Sequence, residues 1–351
     1  MTLFLGGMTV FCLVNPAETL SESERRELQQ FPELTLKSLV SGRFMEKFEE
    51  YAADQFPVRD GWRTLKAQIV FDVLQQKDNN ELYVKGGHIA KIEYPLNEAS
   101  VERAATIFNR IQEEQLASKN CRVFYSVIPD KNYFLGENHL RLDYEKMLSI
   151  LEKNLTKMEY IDIFEQLEVE DYYKTDTHWR QEKLIDVAEK LASGMDADVA
   201  AEYEEILLKE PFYGVYYGQL GVEKEPDKLT YLTNETLESC TVFDYQNEKA
   251  TTIYDLKKVG GKDAYEMFLS GSVSLMEIEN PNAKTEKKLV VFRDSFGSAI
   301  APLLVEGYRK ITLADIRYIS SKYIEQFVDF ERADVLFLYS TSVLNHSEIL
   351  K

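Results

Sequence analysis

Cysteine, histidine and positive charge are all scarce in this chain. The three cysteines, Cys12, Cys121 and Cys240, are too few and too scattered for a disulfide framework, and no pair stands at metal-site spacing. The four histidines, His88, His139, His178 and His346, include no His-x-x-x-His pair, so neither a dedicated metal site nor a cofactor is expected. Lys and Arg number 41 against 60 Asp and Glu, a net charge of −19. Nucleic-acid recognition needs a basic footprint, which this balance excludes, and charge-driven adhesion to anionic lipid is excluded on the same ground. Such an acidic surplus serves solubility. Low-complexity tracts are also absent. The apolar stretch Met1 to Val14 falls short of the roughly 20 residues that span a bilayer. It lacks the basic n-region of a signal peptide, and Phe11 stands before Cys12 where a lipoprotein cleavage site wants a small residue. The expectation is the remainder of a longer signal-anchor that contributes little to the core; the alternative is a short buried helix.

What is present is enough for a sizeable core. The 351 residues, 44% of them hydrophobic, suffice for one large α/β domain with an insertion, or for two domains.

Two stretches carry chemistry. Lys174-Thr-Asp-Thr-His-Trp-Arg180 places the Asp176 carboxylate two residues before the His178 imidazole, with the Trp179 indole directly behind. A carboxylate beside a histidine fixes its tautomer and stabilises the imidazolium, as a general base requires. A helical pattern from about Trp179 to Ala192 puts the pair on a loop at a helix mouth, where Asp176 or Thr177 could equally be an N-cap. Far downstream, Leu289-Val-Val-Phe292 reads as a buried strand, followed by Arg293-Asp-Ser-Phe-Gly297 and a helical pattern through Val305. A serine between a strand end and a helix start exposes its oxygen, and its own N–H can serve an oxyanion. Alone, Ser295 would again read as a cap. Together the two stretches supply every member of a nucleophilic triad.

Thr175-Asp-Thr-His-Trp179 with Arg293-Asp-Ser-Phe-Gly297 resembles the DHHW family, in the alginate O-acetyltransferase-like branch of the SGNH (GDSL-like) hydrolase superfamily. The resemblance implies Ser295 as nucleophile, His178 as base and Asp176 as its orienting acid, with the Asp-x-His pair preceding the nucleophile. Two departures stand out. Thr177 replaces the family's second-place His, and Arg293 replaces the superfamily's Gly before Asp-Ser, which would bring a basic side chain to the site mouth. The resemblance further implies O-acetyl transfer to an extracytoplasmic polysaccharide, with a membrane-bound O-acyltransferase as donor partner and attachment to the membrane through the N-terminus. A carbohydrate acetylesterase with the same triad, or a non-catalytic glycan-binding module, are the rival readings.

Along the chain, residues 17–80 read as a helical region after the leader (1–16): Ser21 to Gln30, Leu36 to Ala53 and Gly61 to Leu74. Phe44 to Asp60 resembles the family's N-terminal region, and Asp54 and Arg59 there read as structural ion-pair formers. Leu82 to Ile92 reads as a hairpin turning at Gly86-Gly87. From Ser100, taken as a helix cap, strands at Cys121–Ile128, Tyr160–Ile163, Lys288–Phe292, Ile311–Ala314 and Val335–Tyr339 alternate with helices. That alternation predicts a parallel sheet covered on both faces within an SGNH-like domain over 81–351. Between about 199 and 283 the pattern changes to short strands rich in tyrosine, read as a small mainly β insertion whose rings could stack on sugar. Ligands bind outside the C-terminal ends of parallel strands. Pro129-Asp-Lys131, Ser295, Asp315-Ile-Arg317 and Ser340-Thr-Ser342 all fall there. Lys131 and Arg317 are therefore candidates for substrate or oxyanion contact, alternatively plain salt-bridge formers, and Arg293 and Trp179 are the further candidate substrate-binding residues.

Overall fold

Continuous apolar runs become the middle of one sheet because both of their faces are covered. The computed structural model describes Gly7 and residues 16–351, apart from 22, 25, 136–138 and 223. The leader reading of Met1 to Val14 thus lies, but for Gly7, outside the described residues. In chain order the strands are β1 (Leu20–Ser21), β2 (Arg26–Glu27), β3 (Leu82–Lys85), β4 (His88–Lys91), β5 (Arg122–Ile128), β6 (Glu159–Tyr160) and β7 (Glu204–Phe212). They continue with β8 (Asp227–Thr233), β9 (Thr241–Asp244), β10 (Lys249–Thr251), β11 (Leu275–Glu279), β12 (Lys288–Arg293), β13 (Lys310–Ala314) and β14 (Asp334–Ser340). The main sheet has eight strands in the order β10-β9-β11-β13-β12-β14-β5-β6. From β13 to β6 all neighbours are parallel; β11, β9 and β10 extend the edge antiparallel.

Alternation along each strand sorts the core into two layers. Leu289 and Val291 of β12, Leu336 and Leu338 of β14 and Phe124 of β5 face one side, with the helix Ile185–Gly194 and the 3-10 run Ala301–Gly307. Val290 and Phe292, Val335 and Phe337, and Val123, Tyr125 and Val127 face the other, beneath the helices Glu98–Ile111 and Tyr144–Asn154. Phe292 stacks on Phe337 at 4.7 Å between ring centres, and Phe337 on Phe108 at 4.6 Å. Each such ring, fully removed from water, contributes about 2–3 kcal/mol.

Several expectations are corrected. The described residues of Ser21 to Gln30 are not helical: β1 and β2 pair antiparallel there. Distant ion pairs override the local pattern, since Arg26 forks onto the Asp54 carboxylate (2.8 and 2.5 Å) and Gln29 N–H donates to it at 2.8 Å. Asp54 and Arg59 are ion-pair formers, Arg59 pairing with Glu24. The next expected helix is broken at Gly42 (φ 76°) into Leu36–Val40 and Arg43–Asp54. Asn97, not Ser100, caps Glu98–Ile111. Gly86 and Gly87 turn the β3–β4 hairpin with φ of 58° and 85°, the left-handed pair that a two-residue turn demands.

In the segment read as an insertion, Val215–Leu220 is a helix rather than a strand, and β7 and β8 form a separate hairpin. β9 and β10 join the main sheet, while Leu229, Leu232, Ile253 and Tyr265 pack into its core layer. The segment therefore completes one face of the sheet and does not stand apart from it.

Candidate active site

The loop bearing Asp176 and His178 is a hairpin tip and not the mouth of a helix. Tyr172 bridges Trp179 antiparallel, Tyr173 N–H donates to His178 O at 3.1 Å, and Arg180 N–H donates to Asp171 O at 2.7 Å. Helix begins only after this closure, as a 3-10 turn at Gln181–Lys183 and then Ile185–Gly194. The β-ladder claims the backbone groups that a helix from Trp179 would have used.

Ser295 lies just past β12, where the Asp294 side chain shapes the turn. Its Oδ1 accepts Phe296 N–H at 3.0 Å, and its Oδ2 accepts Ser340 N–H at 2.8 Å from the end of the neighbouring β14. The following α-helix is only Gly297–Ile300, continued by 3-10 structure. A helix dipole on Ser295 is correspondingly small.

The two stretches meet. His178 Nδ1 lies 2.6 Å from Asp176 Oδ1, and His178 Nε2 lies 2.7 Å from Ser295 Oγ. An ionised carboxylate only accepts, so Nδ1 carries the proton and Nε2 presents its lone pair to the serine hydroxyl. Asp176 is 1% exposed and His178 8%, while Ser295 is half-buried.

The four proposed substrate contacts are placed differently. Arg293 does not reach the mouth: it is wholly buried, 3.8 Å from Asp315, and donates to the carbonyls of Gly271, Val273 and Asp294. Its aliphatic stem fills the space under Gly297, where an added Cβ would come within 2.7 Å of it. Trp179 is also fully buried, and its indole N–H donates to Phe296 O at 3.1 Å, tying the hairpin to the Ser295 turn. Arg317 is engaged in a forked pair with Asp315 (2.9 and 2.6 Å). Lys131 is 3% exposed; its ammonium donates to Tyr173 O (2.9 Å) and Lys174 O (3.3 Å), and it forms no salt bridge among the described residues. Burial pushes its pKa down to about 7, against the pull of Asp176, Asp227 and Asp130.

Other neighbours of the site carry no sequence signature. Tyr265 stacks on the His178 ring (3.9 Å, 10° between planes), and Phe296 flanks that ring at 4.9 Å. Gln181 donates to Ala299 O at 2.8 Å and accepts Leu232 N–H at 2.9 Å. Tyr265 and Leu232 come from the segment between the two motifs and are reached only through the fold. A metal site is not among these features: the described residues hold no cluster of three His, Cys, Asp or Glu suited to an ion.

An eight-stranded, mostly parallel sheet between two helical layers, with Ser295 at the C-terminal end of β12, is an α/β fold with its site where such sheets bind ligands. Within that class the chain belongs to the DHHW family, whose model, described as DHHW protein, matches residues 131–314. Its structure is similar to that of a DHHW family protein from Eubacterium siraeum (TM-score 0.64, 22% identity, covering 76% of this chain and 92% of that one). It is similar also to Bacillus cereus PatB1 solved with a sulfonyl adduct (TM-score 0.61, 20% identity, 75% and 97% covered). The O-acetyltransferase domain of Pseudomonas putida AlgJ matches with a TM-score of 0.48 at 11% identity, over 75% of this chain and 92% of that one. No curated protein sequence matches.

Proposed function

We propose that this protein is an O-acetyltransferase acting on an extracytoplasmic polysaccharide through Ser295, His178 and Asp176. The observation that carries the reading is the unbroken line from Asp176 Oδ1 through the imidazole to Ser295 Oγ, with steps of 2.6 and 2.7 Å. Ser295 Oγ bonds to the acetyl carbonyl carbon as its proton passes to His178 Nε2, and the Asp176 carboxylate stabilises the imidazolium. The Ser295 N–H is the proposed oxyanion donor. Collapse of the adduct expels the donor's alkoxide, which takes the proton from Nε2 and leaves acetyl-Ser295. A sugar hydroxyl then gives its proton to Nε2 and attacks the acetyl carbon; collapse returns the proton to Oγ.

The sequence resemblance to the alginate O-acetyltransferase-like branch supports acetyl transfer over other acyl chemistry. The donor partner would be a membrane-bound O-acyltransferase, and the protein would work at the outer face of the membrane, held there by its N-terminus. No helix among the described residues is long and apolar enough to cross a membrane. A sulfonyl fluoride is the natural probe, given the sulfonyl adduct in the PatB1 structure. The test is product partition: an acetyl ester supplied with and without a glycan acceptor should yield acetylated glycan in the first case and slow acetate release in the second. Acetate release at an equal rate in both, with no acetylated glycan, would make the protein an esterase.

A further inference from the structure

The tip of the dyad hairpin is held chiefly by residues from the segment between the two motifs. Asp227, the first residue of β8, accepts three hydrogen bonds from that tip. Lys174 N–H donates to Oδ1 at 2.8 Å, Thr175 N–H to Oδ2 at 2.7 Å, and the Thr175 hydroxyl to Oδ2 at 2.6 Å. Thr175 Oγ1 in turn accepts Gly214 N–H at 2.9 Å, and Thr175 O accepts the N–H groups of Tyr216 and Tyr217 at 3.0 and 3.2 Å. The adjacent Val215 N–H donates to Asp176 Oδ2 at 2.7 Å, the oxygen the imidazole does not use. Asp176 Oδ1 accepts both His178 N–H (3.0 Å) and Nδ1–H (2.6 Å), so both oxygens of the carboxylate are fixed.

The close approach depends on a missing side chain. A Cβ at Gly214 would lie 2.3 Å from Asp176 Cβ and 2.3 Å from Thr175 O, inside contact distance of atoms that cannot move without moving the dyad. The backbone there is ordinary extended chain (φ −71°, ψ 171°), so glycine is required for room and not for conformation.

We propose that Asp227 and Gly214 are positioning residues for acyl transfer, Asp227 holding Thr175 and Gly214 letting the Val215 N–H reach Asp176, so that both act through the orientation of the Asp176 carboxylate. This rests on the Ser295–His178–Asp176 reading. Asp227 touches none of the reacting groups. It presents its oxygens to donors, and an asparagine would turn an NH2 group toward one of them. The tip then shifts, and misplacing a catalytic group by about 1 Å costs on the order of 10²-fold in rate.

The experiment is a double-mutant cycle on the full chain, with p-nitrophenyl acetate turnover and the rate of Ser295 labelling by phenylmethanesulfonyl fluoride as readouts. Asp227→Asn should lower kcat and the labelling rate together, by about 10- to 100-fold, with KM unchanged. In an Asp176→Asn background the same substitution should cost less than about twofold, because its effect runs through the missing charge. Should Asp227→Asn not yield folded protein, Thr175→Val removes the shared hydroxyl instead and should show the same pattern, with Thr175→Ser restoring it. Effects that multiply in the double variant, or a loss confined to thermal stability, would overturn the proposal. Undiminished activity and labelling in Asp176→Asn alone would instead sink the triad reading beneath it.

Discussion

The Ser295 half of the site and the Asp176–His178 half are built in different ways. Ser295 sits on a turn made mostly by its own neighbours: β12 delivers it, Asp294 accepts the Phe296 N–H, and the stem of Arg293 fills the space beneath Gly297, with the Ser340 N–H on Asp294 and the Trp179 indole on Phe296 O as its remote ties. Asp176 and His178 sit on a tip whose bonds run to remote parts of the chain. Lys131 and the Ile89 N–H hold the carbonyls before it, Asp227 and residues 214–217 hold its N–H groups and carboxylate, and Tyr265 covers the imidazole. A nucleophile turn can be specified locally, because a strand end and a bend suffice to expose one oxygen. An imidazole that must keep one tautomer and one angle needs walls on several sides, and those walls come from wherever the fold can supply them.

The sharpest way to break that comparison is to remove its two meeting points. Ser295→Ala and His178→Ala should each reduce p-nitrophenyl acetate turnover to near background, a loss on the order of 10⁴-fold or more, and the double variant should lose little beyond either. Initial rates above the uncatalysed blank decide this. Asp176→Asn keeps the imidazole in place with its tautomer less well fixed. It should be about tenfold to a hundredfold milder than the loss of the nucleophile by the same assay.

The comparison also predicts a difference in stability. Arg293→Ala, in the local half, empties a wholly buried position and strands the carbonyls that the guanidinium serves. A loss on the order of 3 kcal/mol is expected in urea unfolding. An unchanged midpoint would mean that the turn holds itself without Arg293.

In the remote half, Lys131 should show itself through pH. Its folded pKa, pushed down to about 7, lies below the 10.5 of the free side chain. Between those values the unfolded chain binds more protons than the folded one. Stability should therefore rise with pH from about 7 toward 10, by at most about 1.4 kcal/mol per unit. Lys131→Met should flatten this slope in denaturation curves taken from pH 7 to 9.5; an equal slope in both proteins would contradict it. The smallest effect is expected at Tyr265. Its buried hydroxyl has no hydrogen-bond partner among the described residues, so Tyr265→Phe should preserve both rate and stability while keeping the ring on His178.

Legibility in the sequence follows the same division. β5, β12, β13 and β14 could be read directly, since strands buried on both faces are continuous apolar runs. The Ser295 turn followed from the end of one such run, and the resemblance to the DHHW family joined it to Asp176 and His178. The structure of 21–30 was not legible, because Arg26 and Gln29 are drawn to Asp54 by contacts that no local pattern records. Nor was the helix Val215–Leu220, whose tyrosines suggested a strand while its N-terminal N–H groups serve Thr175 and Asp176. Arg293 was misplaced for a related reason: charge in a sequence suggests exposure, and only the sheet shows that this position points inward. Asp227, Gly214 and Tyr265 have no signature because their role is defined by what they touch.

The central claim is that His178 activates Ser295. Its most direct test is covalent labelling followed by peptide mass analysis. Incubated with an acetyl donor and no acceptor, the protein should gain one acetyl group on Ser295, and phenylmethanesulfonyl fluoride should modify the same residue. Both reactions should fall to the background rate in His178→Ala. Acetyl on a different residue, or labelling of Ser295 that proceeds undiminished without His178, would contradict the account.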